Sequence, residues 1–297
     1  MSTRPIRRIE YQYPYMRPPS EAYSILLQAT FGCSHNKCTF CETYKNTRFG
    51  FKDQEALNDD ITYAEHFCRH QNRLFVMDGD ALIMPMPRWE WLLSNISSRL
   101  PWVERIASYA NAKGVEKKSD EDLRKLREMG LSFIYYGVES GHPDVLNHIR
   151  KGSSPERLVT QARRLKDAGF TLSVTVMTGI GGRTLSEEHA QATGEVLTQM
   201  DPDYVGALTL LLAPGTPMFE EAQRGEFELP DQLELLRELG IMIQHTNLTD
   251  GLFMANHPSN YLSIKAYLPK DKEDALGRIY SALNGKIELR QEWMRAF

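Results

Sequence analysis

Cysteine is scarce in this chain, four in 297 residues, and that scarcity excludes a disulfide-stapled scaffold. Long hydrophobic runs are missing too: the longest, near residues 205–213, is about half the length a membrane-spanning helix needs. There is no excess of positive charge. Thirty-five Lys and Arg stand against 39 Asp and Glu, a net charge of −4, which argues against a dedicated nucleic-acid partner. No stretch rich in Gly or Ser reads as a linker. The first nineteen residues carry Arg4, Arg7 and Arg8 but no apolar segment of the kind a secretory leader has, so the expected compartment is the cytoplasm. What remains is ordinary globular composition, 41% hydrophobic and 25% charged, in a chain long enough to bury a large core.

Apolar runs alternate with amphipathic ones. Residues 24–30, 74–78, 104–109, 132–138, 171–177 and 204–211 read as short strands buried on both faces, the pattern of a parallel sheet. Between them, residues 54–70, 88–100, 119–129, 155–168 and 186–200 read as helices. Ser119 with Asp122 resembles a capping box, and Gly130 and Gly169 sit where two helices should stop. Six such repeats with right-handed crossovers predict an α/β fold, a partial (β/α)6 TIM-like barrel. Residues 230–297 read as three helical segments around one strand near 261–267. The expected organisation is an N-terminal extension over residues 1–23, a barrel core over 24–228 and a helical C-terminal extension over 229–297.

Three of the four cysteines, Cys33, Cys38 and Cys41, fall within nine residues directly after the first strand. Loops at the carboxyl ends of barrel strands form the active face, so the cluster is placed for chemistry. A disulfide would leave one thiol over, and a metal is the better reading. Two metal readings stand. With His35 as fourth ligand the loop would hold a structural zinc, although Cys-x-His is a tighter spacing than zinc ligands usually adopt. Alternatively the three thiolates bind three irons of a [4Fe–4S] cluster and leave the fourth iron open.

The loop, with Phe40 just before Cys41, resembles the cluster-binding motif of the radical S-adenosylmethionine (SAM) superfamily, with one more residue in the first interval: Cys-x4-Cys-x2-Cys where Cys-x3-Cys-x2-Cys is commonest. The resemblance extends over residues 24–216, with segments in family order. Asp78, Gly79 and Asp80 follow the second strand where the family places Gly-Gly-Glu, which would put Asp80 against the amino group of SAM. Asn111 follows the third strand, where some members place polar SAM contacts. Glu139 and Ser140 end the fourth and Lys151 lies downstream, as in the coproporphyrinogen-dehydrogenase and methylthiotransferase branch, where a polar and a basic residue contact SAM. Gly179 and Gly181 end the fifth like the family's adenine-side backbone motif. Ala213 to Pro217 ends the sixth in another pattern of that branch.

The resemblance implies an enzyme that reductively cleaves SAM to a 5′-deoxyadenosyl radical and abstracts hydrogen from a substrate the sequence leaves unidentified. It implies a flavodoxin- or ferredoxin-type electron donor. Only Cys68 is left after the three ligands, so a second fully cysteine-ligated cluster is not expected. A small-molecule substrate fits that minimal chain; RNA or protein modification, or a metal-stabilised scaffold without turnover, are the alternatives.

Plainer readings sit beside these. Asp78-Gly79 is a common turn dipeptide. Glu139 would serve as a cap for a helix beginning near Pro143, and Lys151 as a solvated charge at its end. His66 and His70 bracket Cys68 one helical turn apart; without a third ligand they read as a solvated face and Cys68 as a packed thiol. Tyr11, Tyr13 and Tyr15 alternate as one face of a strand would. Residues 17–21 and 257–261 are dense in polar groups with restricted backbones, candidates for the substrate entrance or plain turns.

Overall fold

A computed structural model of the chain describes residues 6–296, so Arg4 and the first residues of the N-terminal extension lie outside the described residues. In chain order the elements are β1 (Ile25–Gln28), β2 (Thr30–Phe31), β3 (Gly50–Phe51), α1 (Gln54–Phe67), β4 (Arg73–Met77), α2 (Met86–Arg99), β5 (Arg105–Ala110), α3 (Ala112–Glu116), α4 (Asp120–Glu128) and β6 (Leu131–Glu139). There follow α5 (Pro143–His148), α6 (Pro155–Asp167), β7 (Thr171–Thr178), α7 (Ser186–Met200), β8 (Tyr204–Thr209), α8 (Pro217–Gln223), α9 (Gln232–His245), β9 (Gly251–Ala255), β10 (Ile264–Leu268) and α10 (Lys272–Leu283).

One eight-stranded sheet runs in the order β1-β4-β5-β6-β7-β8-β9-β10. Its first six strands carry the βα repeat of a partial (β/α)6 barrel, and each falls within a few residues of the run that predicts it. Pairing is parallel where β1 meets β4 (Ile25 beside Leu74, Gln28 beside Met77) and where β7 meets β8 (Thr178 beside Thr209). Burial on both faces explains the unbroken apolar runs. Leu74, Phe75, Val76 and Met77 of β4 are all fully buried, each side chain worth about 1.5–3 kcal/mol of transfer free energy.

The chain forms two compact units. The first comprises residues up to 36, then 43–135 and 164–171. Its expected first strand is broken at Ala29, whose carbonyl accepts the Lys52 N–H at 3.1 Å while its own N–H reaches the Met77 carbonyl at 2.8 Å. Beyond the break, β2 turns away to pair with β3, Thr30 beside Phe51 and Phe31 beside Gly50. That two-stranded ribbon closes the base of the loop that carries the cysteines. The Ser119–Asp122 capping box opens α4 as read from sequence, and Gly130 follows it at φ +107°, a left-handed backbone that glycine adopts without penalty. Tyr11, Tyr13 and Tyr15 are not in a strand. The segment is irregular, Tyr13 is exposed, and the rings pack on one another at 4.7–5.1 Å; it meets the edge strand β1 through side chains, the Tyr11 hydroxyl donating to the Leu26 carbonyl at 3.3 Å and the Gln12 N–H to Oε1 of Gln28 at 2.7 Å.

The second unit comprises 37–42, 136–163 and the chain from 172. Its last part holds two α-helices, α9 and α10, and a single 3-10 turn (Glu292–Met294) where three helical segments are expected, and two strands where one is predicted. β9 runs parallel beside β8, and β10 returns antiparallel against β9 with Ile264 beside Ala255. The C-terminal segment therefore extends the sheet as well as adding helices. Asp231 opens α9 with a second capping box, its partner Glu234.

Candidate functional site

In the first unit the expected site residues cluster at the carboxyl end of β4. Asp78 is fully buried and accepts hydrogen bonds from the Tyr44 hydroxyl, the Gln28 amide at 3.1 Å and the Met16 N–H at 3.2 Å. Burial outweighs these bonds and pushes its carboxyl up to about 6. Gly79 is wedged: a Cβ there would lie 2.8 Å from the Tyr44 ring and 3.3 Å from the Cβ of Cys33. Only glycine lets the strand end lie this close to the cysteine loop. Asp80, also fully buried, accepts from the Ser34 hydroxyl and, at 3.4 Å, from the Asn111 N–H; burial again raises it to about 6. Asn111 caps α3 through a 2.8 Å bond from the Gly114 N–H.

Asp80 is thus tied to Ser34, the residue after Cys33, and the acidic strand end and the cysteine loop are held together by side-chain bonds. Tyr44 and Gln28 are missed by the sequence reading. Tyr44 lies three residues past Cys41, close enough to suspect as part of the same loop.

In the second unit, Thr39 is fixed on both sides. Its N–H donates to the Ile149 carbonyl at 3.0 Å and its carbonyl accepts from the Met218 N–H at 3.1 Å. Phe40 follows it, half-buried, between Cys38 and Cys41. Glu139 ends β6 with φ +67° and forms an ion pair with Lys151 at 3.0 Å, both side chains largely covered. It does not cap α5, whose first turn has no side-chain cap. Ser140 is buried and shares a 2.8 Å hydrogen bond with Nδ1 of His189; its hydroxyl also accepts the His142 N–H at 2.9 Å. Gly179, at φ +83°, donates its N–H to Oε1 of Glu238 at 2.6 Å. Gly181 packs with its Cα side toward His189, where a Cβ would lie 3.1 Å from that residue's Cβ.

His189 and Glu238 are the functional candidates the sequence reading misses, and periodicity holds the signal. Glu238 lies on the buried stripe of α9 with Leu235, Leu239 and Met242, and His189 on that of α7 with Thr193, Leu197 and Met200. A polar residue on an apolar stripe needs a partner.

The other candidates separate. His66 is exposed, its Nδ1 2.9 Å from the Thr62 carbonyl, and His70 is exposed beyond the helix. Burial pushes the Cys68 thiol up, as for a packed cysteine. In residues 17–21, Glu21 is buried and paired with Arg105 at the amino end of β5, away from the strand's carboxyl end. Residues 257–261 do lie at a carboxyl end: Ser259 accepts the Thr209 N–H at 3.1 Å, and Asn260 accepts from the Thr209 hydroxyl at 2.9 Å.

None of the four cysteines is in a disulfide, and the three of the motif are half-buried. Among the described residues no three His, Cys, Asp or Glu side chains gather as ligands of one metal ion. A cubane asks for something else, one thiolate on each of three irons. Three half-buried thiols outside any disulfide are the donor chemistry that group would need.

Residues 27–193 match the Radical SAM superfamily, more than half of the chain. The chain belongs to the radical SAM superfamily. Members use a [4Fe–4S] cluster and SAM. The heme chaperone HemW of Bacillus subtilis is 23% identical over 181 residues, 61% of this chain and 46% of that protein. A tRNA uridine(34) acetyltransferase of Methanocaldococcus infernus is 29% identical over 112 residues, 37% of this chain and 21% of that one. The chain thus spans less than half the length of these relatives. Among solved structures, coproporphyrinogen III oxidase (HemN) of Escherichia coli shares the fold with a TM-score of 0.51, at 15% identity, over 72% of this chain and 51% of its own. The likeness to HemW agrees with the branch that Glu139, Ser140 and Lys151 resemble in the sequence. Among the described residues no helix is long and apolar enough to cross a membrane.

Proposed function

We propose that this chain is a radical SAM enzyme acting on a small-molecule substrate, its barrel core spanning residues 24–228 between N- and C-terminal extensions. Cys33, Cys38 and Cys41 are the proposed cluster ligands. Bound there, the cluster with SAM supplies reductive carbon–sulfur cleavage and hence a 5′-deoxyadenosyl radical able to abstract hydrogen.

The chain's own residues bind and orient. Asp80, ionised above about pH 6, is the proposed acceptor for the SAM ammonium, with Asp78, Gly79 and Asn111 shaping that end. Lys151 is the proposed partner of the methionyl carboxylate, and Glu139 holds its ammonium in place until then. Phe40 and Ser140 complete the lining, and the Gly179 and Gly181 backbone is the proposed seat of the adenine. A flavodoxin- or ferredoxin-type protein is the proposed electron donor, and the cytoplasm the proposed compartment.

One observation carries this reading. In a member of the family, the cysteine loop is tied through Ser34 to a buried carboxylate, Asp80, at the end of the next strand. The test is anaerobic reconstitution with iron and sulfide, followed by SAM and dithionite. About four irons per chain and formation of 5′-deoxyadenosine, both lost in Cys38→Ala, support it. Stoichiometric zinc without broad visible absorbance would sink it.

A second reading, RNA modification, is favoured by the likeness to the tRNA uridine(34) acetyltransferase. Retention of tRNA that weakens steeply with added salt would support it over the small-molecule reading.

A further inference from the structure

The turn that follows β7, residues 179–183, is held from behind by a part of the chain that lies beyond the family match. A Cβ on Gly179 would lie 2.8 Å from a Leu235 methyl and 3.1 Å from a Leu229 methyl. One on Gly182 would lie 3.1 Å from the Phe227 ring. The Arg183 N–H donates to the Glu228 carbonyl at 2.7 Å, and its guanidinium is paired with Glu234 at 2.9 Å and with Glu228. At the centre of this backing lies Glu238, 1% exposed. One oxygen accepts the Gly179 N–H at 2.6 Å and the other accepts the Ser186 hydroxyl.

His189 is beside it, Nε2 3.4 Å from Oε1 of Glu238, but burial pushes the imidazole down to about 4 and keeps it neutral, so the two do not form a charged pair. Nε2 faces the Met177 carbonyl at 2.9 Å, which requires an N–H there, and Nδ1 is then left to accept from the Ser140 hydroxyl at 2.8 Å. The ring is neutral and bridges the ends of β6 and β7. The carboxyl of Glu238 therefore ties the Gly179 amide to the first turn of α7 at Ser186, and so fixes the direction of that amide. Gly179, at φ +83° between Thr178 and Ile180, is then held on both sides, its N–H by Glu238 and its carbonyl by the Gly182 N–H at 3.1 Å.

We infer that Glu238 is a positioning residue for the adenosine half of SAM, acting through the Gly179 amide. This rests on the proposed seat of the adenine at Gly179 and Gly181. The residue would touch no reacting atom; it would set the shape of the backbone on which the ring rests. Its loss should weaken whatever binds through adenosine and leave unchanged whatever binds only at the methionyl end.

The experiment measures equilibrium binding of SAM, 5′-deoxyadenosine and methionine to the anaerobically reconstituted protein, wild type against Glu238→Leu and Glu238→Gln. Leucine fills the space but leaves the Gly179 N–H without an acceptor. The expected result is about a tenfold weaker affinity for SAM and for 5′-deoxyadenosine in Glu238→Leu, with methionine binding and iron content as in wild type. Glu238→Gln, whose amide oxygen still accepts the N–H, should restore adenosine binding to within about threefold of wild type. Faster hydrogen exchange at residues 179–183 in Glu238→Leu should accompany the loss. Unchanged SAM affinity in Glu238→Leu would overturn the inference, and so would an equal loss for methionine and 5′-deoxyadenosine, which marks a general collapse. If the wild-type protein takes up a cluster but binds no SAM, it is the proposed function that fails, and the inference fails with it.

Discussion

Lys151 reaches Glu139 across a position that has no side chain. Gly137, two residues back along β6, leaves the gap: a Cβ there would lie 2.6 Å from Oε1 of Glu139 and 3.1 Å from Nζ of Lys151. The ion pair therefore depends on an absence, and its two members can be displaced without touching either.

Gly137→Ala gives the first prediction. The atoms it meets are the free ends of two flexible side chains, so the fold should tolerate it at a cost of under about 1 kcal/mol. SAM affinity should fall by about tenfold as the pair is pushed aside. Thermal unfolding and SAM binding, measured on one preparation, separate the two effects. A loss of stability with affinity intact would contradict the role given to Lys151.

Two further glycines should respond in opposite directions. At Gly141 a methyl group would overlap the backbone carbonyl oxygen of Ala192 in α7, and backbone cannot swing away. Gly141→Ala should destabilise by about 3 kcal/mol or more, read from denaturant midpoints. Gly277, inside α10, has nothing near its missing Cβ, so Gly277→Ala should stabilise by about 0.5–1 kcal/mol.

Glu238 predicts a pH dependence. Burial raises its carboxyl to about 7, against an ordinary glutamate value of 4.5 in the unfolded chain. The folded state holds this proton more tightly, so its contribution is fully present at low pH and is lost as pH rises from about 4.5 through about 7. Relative to Glu238→Gln, which does not titrate, the wild-type unfolding midpoint should fall between pH 5 and pH 7.5 (roughly the span between the two values). A constant difference across that range would show that Glu238 is ionised in the fold.

The pair of Glu21 with Arg105 supplies the last prediction. The Glu21 carboxylate also accepts the Tyr135 hydroxyl at 2.5 Å and that of Ser24. Glu21→Ala strands three donors at once and should cost about 3 kcal/mol, the low end for a broken buried pair because Arg105 is partly exposed. Glu21→Gln should recover part of it. Denaturant midpoints of the two variants decide.

The strands of the barrel were legible because burial on both faces keeps charged residues out of their interiors and leaves short, mostly apolar runs. Leu74 to Met77 could be little else. β9 escaped although it is as long as β4 and as apolar: Gly251–Ala255 stands outside the alternating βα pattern, and its partners β8 and β10 are set by tertiary pairing. α3 is five residues long and owes its start to the Asn111 cap, below what periodicity can show. Of the residues proposed for the site, those with a characteristic place in a motif could be named from the sequence: the three cysteines, Asp80, Lys151, the glycines. Tyr44, His189 and Glu238 were not, because their bonds run to residues on other elements, and no local pattern records them. The pairing of Ser34 with Asp80, 46 positions apart, is of the same kind.

The Glu21 carboxylate and the Met16 amide are both supplied from upstream of β1, one to Arg105 and Tyr135, the other to Asp78. A chain trimmed to the matched stretch, residues 27–193, would expose a bare cation in place of the first and an under-bonded acid in place of the second. The smallest autonomous folding unit is therefore longer at its amino end than the stretch by which the family is recognised.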